Sequence, residues 1–316
     1  MHRSMENRMS FDPQHILCAV DFSPPSEAVV HAGHLLAQAF DARLSVFHAV
    51  TASHDPYPGT AIFERGGAQG DFMAAARRNL NELTAPLHQV AAIVAAGDPV
   101  DGLSDCIRAT GAGLVVAARH GWTGIQRVLL GSVVERMARR LTTPLLVVGR
   151  TRKHSSDKPP FQKVVMACKT LAPRDPVLTV AAAIARRFDA GLYLLHAMER
   201  PVRPDILEPT NGPYGQVQAS LQDRLRQEME GKLRATVGDL GVSVDLTPGP
   251  AAEALPGYIA RRQADLLVVG VRHHHRLAQL LVGSTTEAAL RHAACAVLTV
   301  PTSMTREETP GKRWPR

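Results

Sequence analysis

The chain has 316 residues, about twice the size of a usual single domain, so two domains of roughly 150 residues are expected. Hydrophobic residues make up 45% and charged residues 21%, the balance of a soluble globular protein, and no apolar run approaches the roughly 18 residues needed to span a bilayer. The formal net charge is +7, but most of the excess sits in segments 150–160 and 302–316 and aromatics are only 4%; this argues against a nucleic-acid surface, where Lys and Arg cluster on a folded face with aromatics between them.

The first residues, MHRSMENRMSFDPQH, hold no apolar core of the kind a signal peptide needs, so a cytoplasmic location is expected. Ile16 to Val20 is a short continuous apolar run, as for a strand covered on both faces. Ser23 is expected to cap the following helix, with Pro24 at its first position and Val29, Ala32, Leu36 and Ala39 along one side. Leu44 to Val50 reads as a second strand. A polar, Gly-rich loop from Thr51 to Gly70 leads to a helix with Phe72, Ala76, Leu80, Leu83 and Leu87 on one stripe. Val90 to Ala95 is a third strand and Pro99 to Thr110 a helix. Leu114 to Ala118 and Leu145 to Val148 are strands four and five, separated by a helix that starts near Ser132. Cys18, Cys106, Cys168 and Cys295 are far apart and form no CxxC, which points to small buried apolar residues and not to a disulfide framework or a zinc site.

The plan then repeats. HILCAVDFSPPSEAVVHAGHLLAQAFDARLSVFHAV (15–50) lies over KVVMACKTLAPRDPVLTVAAAIARRFDAGLYLLHAM (163–198) without a gap. The later parts also match, ATGAGLVVAARHGWTGIQRVLLGSVVERM over RRQADLLVVGVRHHHRLAQLLVGSTTEAA. Two copies of one unit follow, residues 14–150 and 161–302, joined by a polar linker at 151–160 and flanked by tails at 1–13 and 303–316. Strands alternating with crossover helices imply an α/β fold with a doubly wound parallel sheet, which binds ligands beyond the carboxyl ends of its strands.

Ala118-Arg119-His120-Gly121, followed by Gly131-Ser132, falls at that edge. Gly121 lets backbone approach a ligand closely, and Gly131-Ser132 opens a helix whose first N–H groups lack partners; Ser132 is placed to cap the helix or to donate to a phosphate oxygen. Alone, this spacing is also that of a plain strand-to-helix turn, just as Asp21 beside Ser23 is also that of a turn carboxylate. His273, His274 and His275 are consecutive, so they point in different directions and suit an exposed cationic loop better than a metal shell. His48 and His196 end equivalent strands, where a hydrogen-bonded packing role is expected. No Ser-His-Asp set, paired carboxylates or Walker motif specifies a reaction.

Ala19-Val20-Asp21-Phe22-Ser23, the G-x-P element Gly97-Asp98-Pro99, and a variant of a G-x2-G-x9-G-S/T signature resemble the universal stress protein (UspA-like) family in a tandem arrangement, over about 14–150 and 161–301. The resemblance implies two tandem doubly wound parallel five-stranded sheets of the adenine nucleotide alpha hydrolase-like type, packed as a pseudo-dimer through strand five of each copy (Pro144 to Val148 and Ala296 to Val300). It also implies an ATP site in the first copy: Asp21 and the backbone at Ala49 for the adenosine, with Gly121, Gly131, Ser132 and Val133 for the phosphates. Ala118 stands where the signature opens with glycine. In the second copy Lys169 replaces the aspartate and His273 the second glycine, while Gly270, Gly283 and Ser284 survive, so that copy is expected to be degenerate for ATP. The implied function is a non-catalytic stress-response or regulatory protein whose nucleotide occupancy alters a surface read by another protein, through the loop at 51–70 or its counterpart at 199–215. A nucleotide-free scaffold and a slow ATPase stay open as alternatives, as does further homodimerisation; neither nucleic acid nor membrane is an expected partner.

Overall fold

The computed structural model describes residues 11–51, 69–121, 130–149, 160–169, 171, 175–198, 213–272 and 283–302. The first half runs β1 (His15–Ala19), α1 (Ser26–Phe40), β2 (Arg43–Val50), α2 (Gln69–Thr84), β3 (Val90–Ala96), α3 (Pro99–Thr110), β4 (Leu114–Ala118), α4 (Ser132–Arg140) and β5 (Leu145–Val148). The second repeats it with β6 (Lys163–Cys168), α5 (Pro176–Arg187), β7 (Gly191–Met198), α6 (Pro213–Val237), β8 (Val242–Pro248), α7 (Ala251–Arg262), β9 (Leu266–Val271), α8 (Ser284–His292) and β10 (Ala296–Pro301). No helix among the described residues is long and apolar enough to cross a membrane.

Within each half every pairing is parallel, and the halves meet where β5 and β10 pair antiparallel, Leu145 opposite Thr299, Leu146 opposite Leu298 and Val147 opposite Val297. The ten strands therefore form one sheet, in the order β3-β2-β1-β4-β5-β10-β9-β6-β7-β8. Each five-stranded set would otherwise leave an edge unpaired, the all-apolar β5 or the mostly apolar β10, and the antiparallel pair removes both exposed edges.

Strands this apolar need cover on both faces, and the core supplies it. Ile16 and Cys18 of β1 face one buried layer, which includes Val29, Leu36, Val177 and Ile184 from α1 and α5; Leu17 faces the other, which includes Leu103, Met137, Leu255 and Leu290 from α3, α4, α7 and α8. Both layers run through the two halves.

Local departures from the sequence expectation have physical causes. Ser23 does not cap α1, whose N-cap is Pro25 without a side-chain bond; the Ser23 hydroxyl is drawn to Asp21 and helix geometry begins only after Pro24-Pro25. The buried side of α1 is Ser26, Val29, Val30, Gly33, Leu36, Ala37 and Phe40, so Ala32 and Ala39 flank it. α2 ends at Thr84, and Leu87 packs on the core from beyond the helix. The repeated Phe-Asp-Ala is a helix stop: Asp41 and Asp189 take left-handed φ of 52° and 50°, and the N–H of Ala42 and Ala190 donates to the carbonyl of Ala37 and Ala185 at 2.9 and 2.8 Å.

Candidate functional site

The order β3-β2-β1-β4-β5 reverses between β1 and β4, the point past whose carboxyl ends doubly wound sheets have their ligand crevice. Past β1, the Val20 N–H donates to the Phe47 carbonyl at 3.0 Å and Phe22 turns the chain with a φ of 59°. Asp21 Oδ1 accepts from the Ser23 N–H (3.0 Å), the Ser23 hydroxyl and the Ser26 hydroxyl (3.4 Å). Its Oδ2 lies where a Cβ on residue 121 would sit, so Gly121 is the residue that lets the Asp21 carboxylate and the turn after β4 come together. Ser26 is a member of this cluster that the sequence reading passed over.

β4 ends at the half-buried Ala118. The Arg119 N–H donates to the Val148 carbonyl (3.1 Å), and its carbonyl accepts from the Gly131 N–H (3.0 Å). A Cβ at residue 131 would meet that carbonyl at 3.2 Å, so glycine allows the chain to close back on the end of β4. Gly131 is the N-cap of α4, extended at φ −61° and ψ 135°; Ser132, its first residue, is exposed, and Val133 packs partly on the core. Ser132 is thus not the cap. The leading amides of α4 have no carbonyl a turn earlier in the helix to bond. Phe47 offers its carbonyl toward β1 and Val50 offers its own to the Gly97 N–H at 2.8 Å on the β3 side, so alternation turns the backbone of Ala49 toward β1, past that strand's last paired residue, Ala19.

His48 borders this crevice. Its Nδ1 donates to the Val20 carbonyl (2.9 Å), which settles the tautomer because a carbonyl only accepts, and its ring centroid is 4.2 Å from that of Phe22. Burial pulls its pKa below the ordinary imidazole value, against the opposing pulls of the Val20 carbonyl and the Asp21 carboxylate. His196 makes the same bond to the Cys168 carbonyl at 3.0 Å.

The second half is built differently at the corresponding edge. Lys169 is exposed after β6. A Cβ on Gly270 would meet Val177 Cγ2 at 3.0 Å and Thr302 Cγ2 at 3.1 Å, so side chains of the protein use that space. Gly283 caps α8 with open space around it, and Ser284 follows, exposed. His273, His274 and His275 lie outside the described residues, as do 52–68 and 199–212 of the two loops. No group of three or more His, Cys, Asp or Glu side chains suited to a metal occurs among the described residues.

Arg119 was missed as a buried residue. Only 9% exposed, its guanidinium donates to the carbonyls of Ala293 (2.6 Å) and Cys295 (2.9 Å), 174 and 176 residues later. The one local signal was a charge set directly after an apolar strand.

A duplicated α/β unit whose strand order reverses in each copy defines a tandem protein of the adenine nucleotide alpha hydrolase-like fold. The sequence profile of the universal stress protein family matches residues 13–149 and again 160–301, and the chain belongs to that family. It is 30% identical over 145 residues to universal stress protein A homolog 2 of Coxiella burnetii, covering 44% of this chain and 94% of the relative. Among solved structures it resembles a universal stress protein from Archaeoglobus fulgidus (TM-score 0.64, 15% identity, 92% of this chain and 98% of that one). It also resembles a functionally unknown protein from Pseudomonas aeruginosa PAO1 (TM-score 0.63, 17% identity, 92% and 94%). At these identities the structural likenesses establish the fold.

Proposed function

We propose that the first half binds an adenine nucleotide, ATP being the expected ligand, and that the protein acts in the cytoplasm as a non-catalytic stress-response regulator. The observation that carries this reading is the convergence of Asp21, Gly121 and the Gly131-capped amino end of α4 on one switch-point crevice. The amino end of α4, at Gly131, Ser132 and Val133, would hold phosphate through its leading amides and the positive end of its dipole. The Ala49 backbone would meet the base, and Asp21 Oδ2 would turn from Gly121 to accept from the sugar while Oδ1 keeps the Ser23 turn. The Ala118 methyl narrows the cradle without closing it. Units 14–150 and 161–302 would divide the work, the second being degenerate because Lys169 and His273 stand in place of an acceptor and a glycine. A protein partner would read the loops at 51–70 or 199–215.

A nucleotide-free scaffold is the second reading. It is favoured by the engagement of Asp21 with Ser23, Ser26 and Gly121, which explains both the carboxylate and the glycine without a ligand.

Calorimetric titration of the purified chain with ATP separates these. The expected result is one site per chain, lost in Asp21→Ala and in Gly131→Val combined with Ser132→Ala. No binding by folded wild-type protein establishes the scaffold, two equal sites overturn the assignment of the second half, and phosphate release above a protein-free control establishes the ATPase.

A further inference from the structure

Arg119 sits at the junction of three elements. Its backbone is tied on both sides, N–H to Val148 at the end of β5 and carbonyl to the Gly131 N–H that opens α4. Its side chain leaves the first half and ends on the turn between α8 and β10, where Ala293 is the C-cap of α8. A cation at the end of a helix complements the negative end of its dipole, and two carbonyls offset part of the burial penalty of a guanidinium whose Nε is buried without a partner. Burial does lower its pKa, with a smaller opposing influence from Cys295. Passage for the side chain comes from Gly149 at the end of β5, where a Cβ would lie 3.1 Å from the Cys295 carbonyl and 3.4 Å from Arg119 Nη2.

The repeat makes the arrangement one-sided. The position matching Arg119 in the second copy is Val271, apolar and 3% exposed, so no guanidinium returns from there to the end of α4.

We propose that Arg119 is a positioning residue for the first-half crevice: by capping the end of α8 it braces the turn carrying Gly121 and Gly131 against the second half, a dependence the second half does not return. The degenerate copy then has a task, which is to hold the shape of the other copy's site. The consequence for ligand rests on the nucleotide reading above; the bracing itself does not.

Hydrogen exchange read by mass spectrometry tests it on the full-length chain. Three variants are compared with wild type: Arg119→Met, which keeps an apolar stem, Arg119→Lys, which keeps the charge, and Gly149→Val, which presses on the clamp without touching the crevice. Without ligand, segments 130–134 and 293–297 should exchange faster in Arg119→Met and Gly149→Val, with Arg119→Lys partly restored and 192–195 in β7 unchanged. With ATP, segment 293–297 should slow in wild type but not in Arg119→Met, and ATP affinity should fall by about tenfold in both disruptive variants. Unchanged exchange at 130–134 in Arg119→Met and Gly149→Val overturns the brace. If ligand-free exchange responds but wild type binds no ATP, the nucleotide reading fails and the brace stands; if all four proteins bind ATP equally, the nucleotide reading stands and the positioning role fails. Should Arg119→Met not fold, Arg119→Lys and Gly149→Val carry the same comparison.

Discussion

His48 holds its proton on Nδ1 because the Val20 carbonyl offers only an acceptor, and burial keeps the ring neutral. A folded-state pKa below the unfolded one means that the unfolded chain binds the proton more readily. The stabilisation is therefore complete above the unfolded imidazole pKa and is lost as pH falls from there through the folded value. Thermal midpoints should drop as pH falls from about 7.5 to 5.5, and His48→Asn, whose amide nitrogen can take the place of Nδ1 but does not titrate, should show a shallower drop; equal slopes would refute this account. The cysteines make a second test at this scale. All four are buried and none is in a disulfide, and burial pushes the thiols of Cys18 and Cys295 up to about 12. A thiol-specific reagent at pH 8 should label none in the native protein and all four in denaturant, whereas rapid native labelling would contradict the buried-apolar role.

At the scale of elements, α3 shows how a motif read from sequence becomes a structural part. Gly97 has a φ of 111° and Gly249 one of 94°, and their N–H groups donate to the equivalent carbonyls of Val50 (2.8 Å) and Met198 (3.0 Å), so the turn demands glycine in both copies. Asp98 then caps α3, accepting from the Val100 and Asp101 N–H groups at 2.9 and 3.1 Å, and pairs with Arg136 of α4. The Arg136 hydrogen bond is the largest cause holding the Asp98 carboxyl below the usual range, with the two amides adding to it against a penalty from burial. Asp98→Ala should destabilise by about 1 to 2 kcal/mol. Asp98→Asn, which keeps the cap and loses most of the ion pair, should cost under about 1 kcal/mol by the same reasoning, since the pair is partly exposed. The stabilisation is present above the unfolded carboxyl pKa and is lost as pH falls through the folded one, so the gap between wild type and Asp98→Asn should close in acid; chemical denaturation at several pH values checks both. Strands and helices were legible because their apolar periods differ, and the crevice glycines because a turn at a strand's end is a local event. The start of α1 was not, because Asp21 competes for Ser23 and two prolines delay the helix. Arg119 was not either, because its partners lie in the other copy, at a separation no local pattern spans.

The molecule as a whole is one sheet whose middle is the β5–β10 pair. Around it Arg291 of α8 pairs with Glu135 of α4 at 3.6 Å, Arg187 lies 5.7 Å from the Phe40 ring centroid, and Arg119 reaches α8. The exposed-side contacts are screened and contribute little alone. The apolar edge of β5, LLVV, and the two core layers that run through both halves are what separation would expose. Two outcomes distinguish a covalent tether from a true internal interface. A protease site placed within 150–159 and cleaved after folding should leave the halves comigrating on gel filtration at the mass of the intact chain, because the sheet and its layers, not the linker, hold them. Residues 1–150 made alone should pair through the bared β5 edge or aggregate, and adding residues 151–316 should convert them into a one-to-one complex. Halves that separate on cleavage, or a first half that stays monomeric and folded, would mean that the β5–β10 seam is too weak to hold the copies together, and the brace through Arg119 would then have nothing rigid to push against.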